Sequence, residues 1–185
     1  RVMGEDNFRI RQGHGDGAMG ALHDFKLEAE VSEELEPEAL ARLFEGAFAQ
    51  VFRGEVENDD FNRLVLRAGL AAEDIVVLRT YAKYCKQIGF ALTQATIEAT
   101  LAAQPHIARM LVKLFRLRLH PSEHDDDAAA LQAHAIEQAL DRVSNLNEDR
   151  VLRQLLALIR ATLRCNHWRT GVGHTGAAGP RRSFL

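Results

Sequence analysis

Between Pro37 and Gly54, Leu40, Leu43, Phe44, Ala47, Phe48, Val51 and Phe52 recur at intervals of three and four residues, the spacing of one face of an α-helix. Pro37 suits the first helical position, Glu36 and Glu38 lie near the positive end of the helix dipole, and Gly54 ends the run. Three phenylalanines on this stripe are read as core, the commonest fate of an apolar helix face. From Glu57 to Pro121 the signals are densest. Asn58 is placed to cap a first helix that Gly69 closes, with Asp59 and Asp60 in its opening turn. A second helix is predicted from Glu73 to Ile88, with Ile75, Leu78, Ala82, Cys85 and Ile88 on one side and Gly89 as its stop. Thr93 caps a third carrying Ile97 and Leu101. Pro105 opens a fourth with Ile107, Met110, Leu111, Leu114 and Phe115, and His120 and Pro121 stop it. After the polar loop Ser122–Asp127 come a helix with Leu131, Ile136, Leu140 and Val143, and a last one. The last is expected to be capped by Asn147 and to carry Leu152, Leu155, Leu156, Ile159 and Leu163.

The two ends follow other rules. Val2, Phe8 and Ile10, then GHGDG, then Met19, Ala21, His23, Phe25 and Leu27 read as two strands around a glycine-rich turn. A lone two-stranded hairpin is marginal in water, so these strands are expected to belong to a larger sheet or to lie on the helices. Beyond Cys165, TGVGHTGAAGPRRSFL removes helical propensity and reads as a loop or linker. The expected fold is mainly α, an irregular multi-helix bundle preceded by a β-hairpin. Its divisions are 1–31, 32–165 and 166–185.

Composition adds bounds rather than chemistry. With 185 residues, 46% hydrophobic and 26% charged, the chain has the make-up of a globular protein able to bury a sizeable core. It opens on Arg1 with no charged-then-apolar leader, and no apolar run approaches the roughly 18 residues a span requires, so neither secretion nor membrane insertion is expected. A net charge of −3 gives no general attraction to nucleic acid. Cys85 falls on an apolar face and is read as a small buried hydrophobe; a disulfide to Cys165 is not expected in a reducing compartment.

Candidate chemistry is sparse. His120 and His124 lie four apart beside Asp125, Asp126 and Asp127, but Pro121 makes the stretch a loop where spacing no longer dictates geometry, and a solvated loop is the preferred reading over a metal site. His14, His23, His167 and His174 have no carboxylate or cysteine at motif spacing. GHGDG and TGVGHTG are glycine-rich, yet neither has the strand, G-x-G-x-x-G and helix order of a dinucleotide fingerprint. A P-loop and a G-x-S-x-G elbow are absent. Arg109, Lys113, Arg116 and Arg118 on one helix, and Arg150, Arg153, Arg160 and Arg164 on another, suit an acidic effector or a neighbouring domain, or are solvated faces paired to carboxylates. No catalytic, cofactor-binding or metal-ligating residue is assigned.

Three phrases, ENDDFNRLVLRAGL, LRTYAKYCKQIGF and PHIARMLVKLFRLRLHP, resemble the large bacterial NAD-specific glutamate dehydrogenases in the region before their catalytic domain. LHDFKLEAE at Leu22–Glu30 and LNEDRVLRQLLALIRATLRCN at Leu146–Asn166 support the resemblance in the same order along the chain, and Arg63 and Tyr81 lie within these phrases. The resemblance implies that 1–31 ends a small α/β domain similar to ACT modules and that 166–185 leads toward a catalytic domain. It further implies a cytoplasmic, homo-oligomeric parent that converts L-glutamate and NAD to 2-oxoglutarate, ammonium and NADH. The lysine-bearing glycine segment and the Rossmann unit such an enzyme needs are not in these residues, so this chain alone is expected to bind no NAD and to be inactive. Its expected role is to couple regulatory and catalytic domains of the same chain or to aid subunit packing. The alternative is a free-standing helical module that binds a protein or effector.

Overall fold

A computed structural model describes residues 2–11, 19–31 and 35–168 of the chain. Strands β1 (Val2–Arg11) and β2 (Met19–Leu27) form an antiparallel pair, with Phe8 opposite Leu22, Glu5 opposite Phe25 and one irregularity between Val2 and Gly4. Met3, Phe8, Leu22, Phe25 and Leu27 are each about half exposed, as expected of a ribbon with too little apolar surface to cover itself. The GHGDG turn lies outside the described residues. This hairpin is one compact unit, and the remainder of the chain is the other.

Among the described residues, the second unit is a bundle of seven α-helices. They are α1 (Pro37–Phe52), α2 (Leu64–Arg67), α3 (Ala72–Gln87), α4 (Gln94–Ala103), α5 (Pro105–Leu119), α6 (Asp126–Leu140) and α7 (Leu146–Ala161). A 3₁₀ turn, Asp60–Arg63, precedes α2, so the first central helix of the sequence reading is a broken one whose cap position is Asp59, not Asn58. Thr93 caps α4 by accepting from the Thr96 N–H, and Pro105 opens α5, both as the sequence predicts. The last helix starts earlier than predicted. Asn145 is its cap, its side chain accepting from the N–H groups of Asn147 and Glu148. Gly69 has φ +61°, and a Cβ there would stand 2.1 Å from Leu35 Cδ1, so both backbone and space call for glycine at the turn into α3.

The core is continuous from α2 through α7. Phe61, Leu64, Ile75, Leu78, Ile97, Leu101, Leu111, Leu114, Phe115, Ile136, Leu152, Leu155 and Ile159 are all fully enclosed. Cys85 joins them at 1% exposure, and burial raises its thiol pKa. A buried ion pair fastens the 3₁₀ turn to α3: Arg79 Nε and Nη2 donate to the Asp59 carboxylate at 2.6 and 2.8 Å, and Nη2 also donates to Asn62 Oδ1.

The phenylalanine stripe of α1 departs from expectation. Four residues turn a helix about 40° past a full circle, so the row Leu40, Phe44, Phe48, Phe52 climbs steadily out of the core. Leu40 is 6% exposed, Phe44 is half-buried, Phe48 is 56% exposed and Phe52 is 83% exposed. Ala47 joins the core, Leu43 and the half-buried Phe44 pack against it, and Leu40 is buried as well. Phe48→Ala is therefore expected to shift stability by no more than about 0.5 kcal/mol, as for other surface changes; a chemical denaturation curve displaced by several times that would return the ring to the core. Leu131 fails for a similar reason, since two residues place it about 200° from Ala129, Ala133, Ile136 and Leu140, the buried line of α6.

Candidate functional site: the grip on the end of α7

A group of hydrogen-bonded and aromatic side chains surrounds the point where α7 ends. Thr162, 6% exposed, has φ −68° and ψ 122°, which turns the chain out of the helix into an extended course. Its hydroxyl donates to the Leu158 carbonyl at 2.8 Å, so the 2.7 Å bond to Tyr81 has the tyrosine hydroxyl of α3 as donor. Burial pushes the Tyr81 phenol well above its ordinary range, and the Thr162 hydrogen bond opposes that only in part. From α5, Arg118 Nη2 donates to the Thr162 carbonyl at 3.3 Å, while Arg118 Nε is buried with no hydrogen-bond partner.

The residues that follow are packed as well. Phe115 of α5 is fully buried, with Tyr81 edge-on at 6.1 Å, Trp168 stacked at 5.3 Å and His167 edge-on at 5.6 Å. His120 meets Trp168 edge-on at 4.6 Å. Cys165 is half-buried, and desolvation raises its thiol pKa. At the other end of α7, Gln104 Nε2 donates to Glu148 at 2.9 Å. In the segment read as a linker, 166–185, His167 and Trp168 pack on Phe115 of the bundle, and the glycine-rich part lies outside the described residues.

The residues singled out from sequence go to separate tasks. His120 Nδ1 accepts from the backbone N–H groups of Ser122 and Glu123, His124 Nδ1 lies 2.9 Å from the Arg118 carbonyl, and Asp125 caps α6 by accepting from the Ala128 N–H. No group of three or more His, Cys, Asp or Glu among the described residues is arranged to hold a metal ion. Arg116 pairs with the buried Asp74 at 2.6 Å, Arg153 with Asp149 and Asp141, and Arg160 with Glu137, so these candidate cations are spent on carboxylates of the bundle itself. Arg63 is exposed and pairs with Asp60 at 3.3 Å. His23 contacts Glu5 across the hairpin. A groove of about 540 Å³ between α5, α6 and α7 is lined in part by Arg118, His124, Asp126 and Arg160. Sequence reasoning missed Thr162 and Trp168 altogether. The available signal was that Trp168 is the sole tryptophan and lies seven residues beyond the end of an apolar helix.

The comparisons divide the bundle at this site. A family model described as glutamate dehydrogenase, helical motif 3, matches residues 56–121, and one described as bacterial NAD-glutamate dehydrogenase, catalytic domain, matches residues 135–180. The chain is 38% identical over 169 residues to the NAD-specific glutamate dehydrogenase of Halomonas elongata, covering 91% of this chain and 10% of that protein. It is 40% identical over 173 residues to that of Pseudomonas aeruginosa, covering 91% and 11%. The chain is similar to the NAD-specific glutamate dehydrogenases. The Mycobacterium tuberculosis dehydrogenase is similar too, 38% identical over 167 residues. The chain spans about a tenth of the length of these dehydrogenases. No solved structure gives a significant match. The motif match ends with α5, whereas the catalytic-domain match begins inside α6, so the bundle read as 32–165 runs across both dehydrogenase models. Tyr81, Arg118, Phe115 and His120 lie in the first match and Thr162, His167 and Trp168 in the second. No helix among the described residues is long and apolar enough to cross a membrane.

Proposed function

We propose that this chain is the coupling segment of an NAD-dependent glutamate dehydrogenase, through which the helical motif fixes the start of the catalytic region. The parent deaminates L-glutamate to 2-oxoglutarate and ammonium and passes hydride to NAD. It is cytoplasmic and homo-oligomeric, and its hairpin 1–31 ends an ACT-like regulatory domain. The observation that carries the reading is the grip on α7: residues of α3 and α5 hold Thr162 by its hydroxyl and its carbonyl, and Phe115 and His120 hold the rings that follow. A segment whose exit is fixed by both hydrogen bonds and stacked rings transmits its orientation to whatever the chain enters next.

None of the described side chains forms an acid, base and nucleophile set, and the nucleotide fingerprint is lacking in the sequence, so the 185 residues are expected to supply position and not chemistry. Isothermal titration of the purified chain with NAD should show no binding in the micromolar range, and glutamate with NAD should yield no NADH. Micromolar affinity would overturn the reading by revealing a nucleotide site within these residues. In the full-length polypeptide, Thr162→Val is expected to lower turnover while the isolated chain keeps its fold; unchanged turnover would remove the coupling role.

A further inference from the structure

We infer that the aromatic row on α1 seats another domain of the same polypeptide, one presenting an apolar centre with a basic edge. This rests on the reading of the chain as a segment of a longer dehydrogenase and adds the surface by which it is held. Phe44, Phe48 and Phe52 stack in series, with ring centres 6.1 and 6.2 Å apart, so the rings form one continuous plate on the helix. The outer two are exposed, and α1 fully buries only Leu40 and Ala47 in the bundle. Large contiguous exposed apolar surface on a folded unit marks a contact. Helical geometry places Ala41 in line with the plate and the exposed Glu38 and Glu45 along its outer side, with Arg42 beyond them, which gives an apolar strip with a border that is net acidic. Cations on the facing surface complement that border.

The occupant follows from two further facts. Relatives that align with 91% of this chain are about ten times as long, so most of such a polypeptide lies outside these residues. Moreover, α1 precedes residue 56 and belongs to neither matched model, and it packs on α2 and α3 with no substantial contact to α6 or α7. Its plate therefore sits on a helix that takes no substantial part in holding the exit of α7.

The test compares the 185-residue chain with the full-length polypeptide. Phe52→Cys, at a position too exposed to disturb folding, is labelled with a maleimide and the rate at that residue is read by peptide mass spectrometry. The isolated chain is expected to label at close to the rate of a free thiol, and the full-length protein at least ten-fold more slowly. Hydrogen exchange of the unmodified residues 44–52 in both proteins gives the same comparison without a substitution, with protection expected only in the long form. Equal labelling and equal exchange would overturn the inference. So would protection in the isolated chain that rises with its concentration, since the occupant would then be a second copy. Glutamate-dependent NADH formation by the full-length protein is measured separately: its absence sinks the dehydrogenase reading, while the labelling ratio still decides the seat on α1.

Discussion

Phe115→Ala is expected to destabilise the bundle by about 3–5 kcal/mol, the range for removing a fully buried aromatic ring. The ring is 0% exposed and touches elements on both sides of the motif and catalytic-domain matches, with Tyr81 on one edge and His167 and Trp168 on the other. Its loss leaves a void that Leu111 and Leu114, on the same helix and already enclosed, have little freedom to fill. Because Trp168 is the only tryptophan, its emission reports the loss directly. The variant should show both a lower urea midpoint and a red-shifted native spectrum. A midpoint within about 1 kcal/mol of the parent, far below the usual cost of such a cavity, would show that the rings after Cys165 are not held by Phe115.

The second large effect lies at the far side of α3. Asp59→Ala should cost about 3–5 kcal/mol, because it strands a guanidinium that has been removed from water. Arg79 is 4% exposed, and without Asp59 it retains the neutral acceptors Asn62 Oδ1 at 3.1 Å and the Glu57 carbonyl at 3.5 Å, while the Glu57 carboxylate is solvent-exposed and 3.9 Å away, too distant to replace the lost pair. The reverse change, Arg79→Met, leaves a carboxylate that is 15% exposed and can draw in solvent, so it should cost less. The double variant Asp59→Leu, Arg79→Met removes both charges and should recover much of the loss. A double-mutant cycle by chemical denaturation checks this, and additive single effects would mean that the two side chains do not depend on each other.

These two features mark what the sequence leaves unread. Turns and caps are local, so Gly69, Gly89, Thr93 and Pro105 are legible from a few neighbouring residues, and all four stand where they were expected. The Arg79–Asp59 pair joins residues 20 apart and the Tyr81–Thr162 bond residues 81 apart; nothing in one dimension tells Arg79 from Arg63, or Thr162 from Thr80. The stripe on α1 fails for a geometric reason. A template of threes and fours accepts Phe44, Phe48 and Phe52 together, although the row winds away from the line through Leu40 and Ala47. Family phrases pointed to the NAD-specific glutamate dehydrogenases, but the residues that join the two matched regions came from the packing.

The 81-residue span of the Tyr81–Thr162 bond also sets an order of events during synthesis. A ribosome releases α3, α4 and α5 well before α7 exists, and domains assemble as their pieces emerge. Until residues 146–168 arrive, Phe115 lacks the indole that stacks on it and Tyr81 lacks its hydroxyl acceptor. The nascent bundle therefore leaves that apolar slot open to solvent for as long as the stretch takes to translate. A stalled chain ending near Asn145 would keep the slot open for good, and quality control would meet it as an adhesive intermediate.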